Sequence, residues 1–109
     1  MLPRALLIPA LVVTALAADT KEARALKVDF QNLTARAVSM TNAVDAMDRR
    51  LRAQGLALRS DISAARTRME LTMDESEEAL KAGRLKDARR AMKRADGAIE
   101  KLESAMGAR

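Results

Sequence analysis

The side chains best suited to chemistry in this chain are six cations crowded between Arg84 and Arg94: Arg84, Lys86, Arg89, Arg90, Lys93 and Arg94. At about 100° per residue, Lys86, Arg89, Arg90 and Lys93 make one stripe on a helix, opposite Leu85, Ala88 and Met92. A stripe of this kind suits an anionic partner, whether nucleic acid, an acidic membrane surface or an acidic protein. The plainer reading is a solvated helix face, partly paired with the acidic run Asp74, Glu75, Glu77 and Glu78. The chain has no Trp or Tyr and one Phe, so the aromatic platforms on which unpaired bases stack are missing, which weighs against nucleic acid.

Met69 and Met73 stand four residues apart, one helical turn, and paired thioethers suit Cu(I). Six of the seven Met follow the initiator, and all six fall on apolar seam positions, where flexible thioethers fill irregular gaps in a core. Core packing is therefore the stronger reading, and no cofactor is expected. Catalysis has little to stand on. Ser39, Ser60, Ser63, Ser76 and Ser104 carry hydroxyls, but the chain has no His to serve as their base and no Cys. It has no phosphate-cradling Gly-rich loop either. The carboxylates of Asp74–Glu78 sit together on a charged helix face, without the contrasting surroundings that give two carboxylates separate acid and base roles. The chain is read as no enzyme.

The elements behind these side chains are helices. Leu26, Phe30, Leu33, Ala37, Met40, Val44, Met47 and Leu51 keep an unbroken 4-3 spacing. The same rhythm returns as Leu85, Ala88, Met92, Ala95, Ile99, Leu102 and Met106. A period of about 3.5 residues puts each set on one seam, the pattern of helices packed along their length. Between them Ile62, Ala65, Met69, Met73 and Leu80, with Ser76, outline a third seam. The expected helices are about 20–53, 61–82 and 85–106, with Ser60 as N-cap of the second and Gly83 in the left-handed C-cap position. The fold class is all-α: a three-helix, coiled-coil-like bundle with a C-terminal antiparallel αα-hairpin. The alternative is one long helix running through Gly55 plus a folded-back C-terminal helix, since an interior Gly costs only about 1 kcal/mol relative to Ala.

Charge supports the hairpin. With its turn at Gly83, the acidic run Asp74–Glu78 comes level with Lys86–Arg94. Farther out Arg66 and Arg68 come level with Asp96, Glu100 and Glu103. Exposed pairs contribute about 0–1 kcal/mol each, so they select register and orientation more than they stabilise. The stretch Glu78–Ala88 resembles the turn between the two helices of a tetratricopeptide repeat, with Gly83, Leu85 and Ala88 at matching positions. It covers about a tenth of the chain, no second repeat follows at about 34 residues, and the repeat's Trp, Tyr and Pro positions are unfilled. The resemblance implies an αα-hairpin and no repeat-family function.

Helix one is overlong. At about 1.5 Å per residue it spans roughly 50 Å against roughly 35 Å for the other two. From Gln31 to Val44 its only charge is Arg36, and a line of small residues, Ala35, Ser39, Asn42 and Ala46, runs beside the seam. Small side chains admit a second helix closely, so this line is the candidate interaction surface. The core, drawn from Ala, Leu and Met, is also thin. Ordering a residue costs about 1–2 kcal/mol, while burying a Leu or Met stabilises by about 1.5–3. Both points lead to an expected protein partner or a homodimer.

The beginning of the chain reads as an address. Met1–Arg4 is a short basic start, Ala5–Ala17 is apolar apart from Thr14, and Ala15-Leu16-Ala17 is a small-x-small cleavage pattern. The run is shorter than the roughly 20 residues that cross a bilayer. Residues 1–17 are therefore expected to be a cleaved secretory signal peptide and 18–109 the helical bundle. No transmembrane span is expected in the mature chain, and its location would be the periplasm or the extracellular space. The formal net charge falls from +5 to +4 on cleavage, because Arg4 is the only charge removed. Without Cys the exported fold must hold by packing alone. The expectation is an exported small helical protein working as a structural or protein-interaction module. The alternatives are binding of an anionic ligand through the basic stripe and, third, Cu(I) binding by Met69 and Met73.

Overall fold

The 4-3 seams become three long helices. The computed structural model describes residues 20–107, and within them run α1 (Lys21–Ala53), α2 (Ser60–Lys81) and α3 (Leu85–Gly107). The expected signal peptide, residues 1–17, lies outside the described residues. The fold is all-α, a helical bundle in which α2 and α3 form the antiparallel hairpin and α1 packs against it. Among the described residues no helix is long and apolar enough to cross a membrane.

Each helix boundary has a local cause. The Thr20 side chain accepts a hydrogen bond from the Ala23 N–H at 3.1 Å and caps α1, satisfying one of the donors a first turn leaves free. α1 then stops at Ala53, because Gly55 takes φ +74°. The Leu56 N–H bonds the Leu51 carbonyl and the Gly55 N–H the Arg52 carbonyl, the paired bonds of a Schellman stop. The long helix through Gly55 is therefore not formed. Gly83, φ +75°, repeats the device at the hairpin turn: Arg84 N–H bonds Ala79 and Gly83 N–H bonds Leu80. Ser60 is not the N-cap of α2; that position is Arg59, and its side chain makes no cap hydrogen bond. Asp61 takes over locally, accepting the Ile62 N–H at 3.0 Å and the Arg59 guanidinium at 2.6 Å and 3.0 Å.

The core follows the seams with one shift. From α1 come Leu26, Leu33, Ala37, Met40 and Val44, with Phe30 and Met47 half-buried. α3 buries Ala88, Ala91, Met92, Ala95, Ala98, Ile99 and Leu102, a band wider than one seam because it meets both other helices. On α2 the buried line is Ile62, Ala65, Met69, Thr72, Ser76 and Ala79, while Met73 and Leu80, expected at its centre, are half-buried. Small side chains occupy the line where α2 and α3 approach most closely. Thr72 and Ser76 tolerate this because each hydroxyl donates to a carbonyl of its own helix, Arg68 and Thr72 respectively, both at 2.7 Å. A buried hydroxyl without such a bond would destabilise by about 1–3 kcal/mol.

Candidate interaction surfaces

Ion pairs tie α1 to both arms of the hairpin and decide which charges stay free. Arg36 reaches across to α3, where Asp96 accepts at 2.6 Å and Glu103 at 3.1 Å. Those bonds, to Glu103 first and then Asp96, raise the guanidinium pKa above its ordinary value. Asp45 of α1 pairs with Arg66 of α2 at 2.8 Å, and Glu22 pairs with Arg89 at the other end of the bundle. The sequence reading placed Arg66 and Arg68 against Asp96, Glu100 and Glu103. Instead the third helix intervenes: Arg36 takes two of those acids, and Asp45 takes Arg66. Of the contacts expected near the turn, Arg94–Glu75 is formed at 3.3 Å.

Once Arg36 is turned to α3, the outer side of α1 between Gln31 and Val44 presents no uncommitted charge. Ala35, Ser39 and Asn42 of the small-residue line are exposed, and Ala46 is half-buried. Val28 and Val38 on the same side of the helix are each 54% exposed. The line is therefore uncovered within a single chain.

Beside it lies a feature that sequence reading missed. α1 packs more extensively on α3 than on α2, and between α1 and α2 lies a groove of about 350 Å³. Its floor and apolar wall are Phe30, Val38, Met69 and Met73, and its rim on α2 is acidic: Glu70, Asp74 and Glu77. Met69 is a core residue, 1% exposed, and Met73 is half-buried in the wall. The signal available in the sequence was the breadth of the uncharged stretch of α1, wider than a single seam needs. What sequence could not supply was the unequal packing of α1 on the two arms of the hairpin.

Lys86, Arg89, Arg90 and Lys93 of the basic stripe are all exposed, but the stripe does not point wholly away from the bundle: Arg89 and Lys93 line a cleft between α3 and α1 beside Leu26, Asp29 and Asn32. Arg89 is occupied by Glu22. Among the described residues no cluster of three or more His, Cys, Asp or Glu is placed to share a metal ion. No protein-family model matches the chain, and no curated protein or solved structure matches it.

Proposed function

We propose that this chain is an exported small helical protein that acts through its surfaces, as a structural or protein-interaction module of the periplasm or the extracellular space. The observation that carries the reading is the continuity of the uncharged outer side of α1 with the α1–α2 groove. Val38, 54% exposed, belongs to both. A helix face that is uncharged and lined by small residues and two exposed valines, with its single guanidinium drawn away to α3, is suited to a protein surface. The lack of His and Cys supports a role without covalent or acid–base chemistry, and the apolar, small-x-small start supports export.

Val38→Asp tests the reading. The variant keeps the helicity of the parent by circular dichroism and loses self-association or partner retention. A parent that is monomeric at every accessible concentration and retains no protein from its native envelope fraction would refute it.

The second reading is an anionic partner on α3. It is favoured by Lys86, Arg90 and Lys93, which are exposed on one face and make no ion pair among the described residues. It predicts binding to anionic vesicles that weakens steeply with salt and is lost in Arg89→Glu with Arg90→Glu. Salt-independent binding, or none, eliminates it.

A further inference from the structure

We propose that the exposed seam of α1 bordering the α1–α2 groove is the seat of α1 from a second copy of this chain, antiparallel and related by a two-fold axis. The proposal rests on the interaction reading above and names its partner. Three observations converge on it.

The first is spacing. Val28, Gln31, Ala35 and Val38 follow one another at 3-4-3 intervals along the exposed side of α1, a second seam beside the one that faces the hairpin. In an antiparallel two-fold pair, Val28 of each copy meets Val38 of the other, and Gln31 meets Ala35. Every contact is used twice, as isologous closure requires.

The second is charge. The Asp45–Arg66 pair fixes the register of α1 and α2, setting Glu70, Asp74 and Glu77 level with Thr41, Ala37 and Thr34. Those same residues share the groove with them. In the valine-paired register, Lys27 of the second copy arrives level with Ser39, between Glu70 and Asp74. At about 100° per residue Lys27 falls in azimuth between Thr34 and Val38, on the groove side of α1. A two-fold axis perpendicular to the helices keeps that flank toward the groove. The ammonium group therefore faces the acidic rim.

The third is vacancy on both sides of that contact. Glu70 and Glu77 have cations one turn away on their own helix, Arg66 and Lys81. Lys27 and Asp74 make no ion pair among the described residues. The dimer supplies each with the other.

The absence of Cys makes a clean test available. Val28→Cys and Val38→Cys are prepared separately in the full chain, mixed and oxidised. The mixture is expected to give a disulfide-linked dimer, and neither variant alone should. Equivalent residues of the two copies lie about 15 Å apart along the axis in this register, beyond the roughly 7 Å Cα separation a disulfide can span. Cross-linking of Val28→Cys with itself would mean parallel pairing and would overturn the proposal. Lys27→Glu and Asp74→Lys should each weaken the dimer at least about tenfold by sedimentation, and the double variant should restore it. Failure of that rescue also overturns it. If the mixed cross-link fails in a folded chain that still holds another protein, released by Val38→Asp, self-pairing is refuted and the interaction reading stands. If nothing is held, both fall.

Discussion

The α2–α3 hairpin and α1 solve the same packing problem with different side chains. The hairpin helices bury Ala65, Thr72, Ser76, Ala79, Ala88, Ala91, Ala95 and Ala98 alongside the larger Ile62, Met69, Met92, Ile99 and Leu102. Helices carrying such small side chains come close, so dispersion and exclusion of water act along the whole length. α1 contributes Leu26, Leu33, Met40 and Val44 to the shared core, and it packs less extensively on either arm of the hairpin than the arms do on each other. Within the hairpin, Leu71 of α2 is the one large apolar side chain left exposed among the described residues, at 60%. α1 uses one seam and leaves a second, with Val28 and Val38, in water. The hairpin is the more extensively packed pair, and α1 is the helix with an apolar seam left over.

The largest expected effect is one that should break both regions together. Ile99 is 0% exposed on the helix that touches both others. Ile99→Ala should destabilise by about 2–5 kcal/mol, and chemical denaturation should show a lower midpoint or loss of the cooperative transition. A smaller loss confined to α1 would mean that the hairpin folds alone. The next prediction separates the regions. Ala95→Leu forces the hairpin apart and should destabilise by about 1–3 kcal/mol. The same change at exposed Ala35 should shift the melting of dilute, monomeric chain by less than about 0.5 kcal/mol. Equal effects would erase the distinction drawn here.

Turn chemistry comes third. Gly83 has φ +75°, and an added Cβ there meets nothing within 4 Å, so Gly83→Ala is opposed by backbone strain alone. A loss of about 1 kcal/mol is expected by thermal melting, shared by both hairpin helices because they share the turn. Arg36 follows. It is 39% exposed, and its partners Asp96 and Glu103 are 43% and 42% exposed, so solvent screens the pair. Arg36→Ala should destabilise by roughly 0.5–1 kcal/mol and lower hydrogen-exchange protection in α1 more than in α2.

The smallest effect is a pH dependence at the start of α2. Hydrogen bonds from Arg59 hold the Asp61 carboxyl below its ordinary value, against a weaker opposing effect of burial. The folded-state pKa is depressed, so this contribution is present above the unfolded-state value and is lost as pH falls through the folded one. Asp61→Asn should remove a slight acid sensitivity from the unfolding curve, seen only below the usual carboxylate range. No change between neutral pH and that range is expected in either protein.

Where sequence reading and structure part, the reason lies in particular residues. Apolarity alone selected Met73 and Leu80 for the α2 seam. The buried positions beside them are Thr72 and Ala79, because closeness of approach, not hydrophobicity, decides that contact, and because a Thr can bond its own helix. Sign reversal along the hairpin pointed to its antiparallel course correctly. It named the wrong partners for Arg66, Asp96 and Glu103, since a two-helix ruler has no place for Arg36 and Asp45 on a third helix. Ser60 had the right chemistry for a cap but sits one residue inside the helix. The small line Ala35, Ser39 and Asn42 was readable as an unfilled side of α1, whereas the acidic-rimmed groove next to it was not.

Heptad spacing, Gly83 and the alternation of charge were enough by themselves to determine an all-helical chain, the stop at Gly83 and the sense of the hairpin, while the stop at Gly55 was one of two readings that the structure decided. These depend on backbone geometry and on neighbours within a few turns, which a linear order of residues already contains. Only the tertiary structure decided how unequally α1 packs on the two arms, which carboxylates claim Arg36, and that a groove opens between Phe30 and Met73. Those outcomes depend on distances between helix axes, and such distances are set by the volumes of all the facing side chains at once.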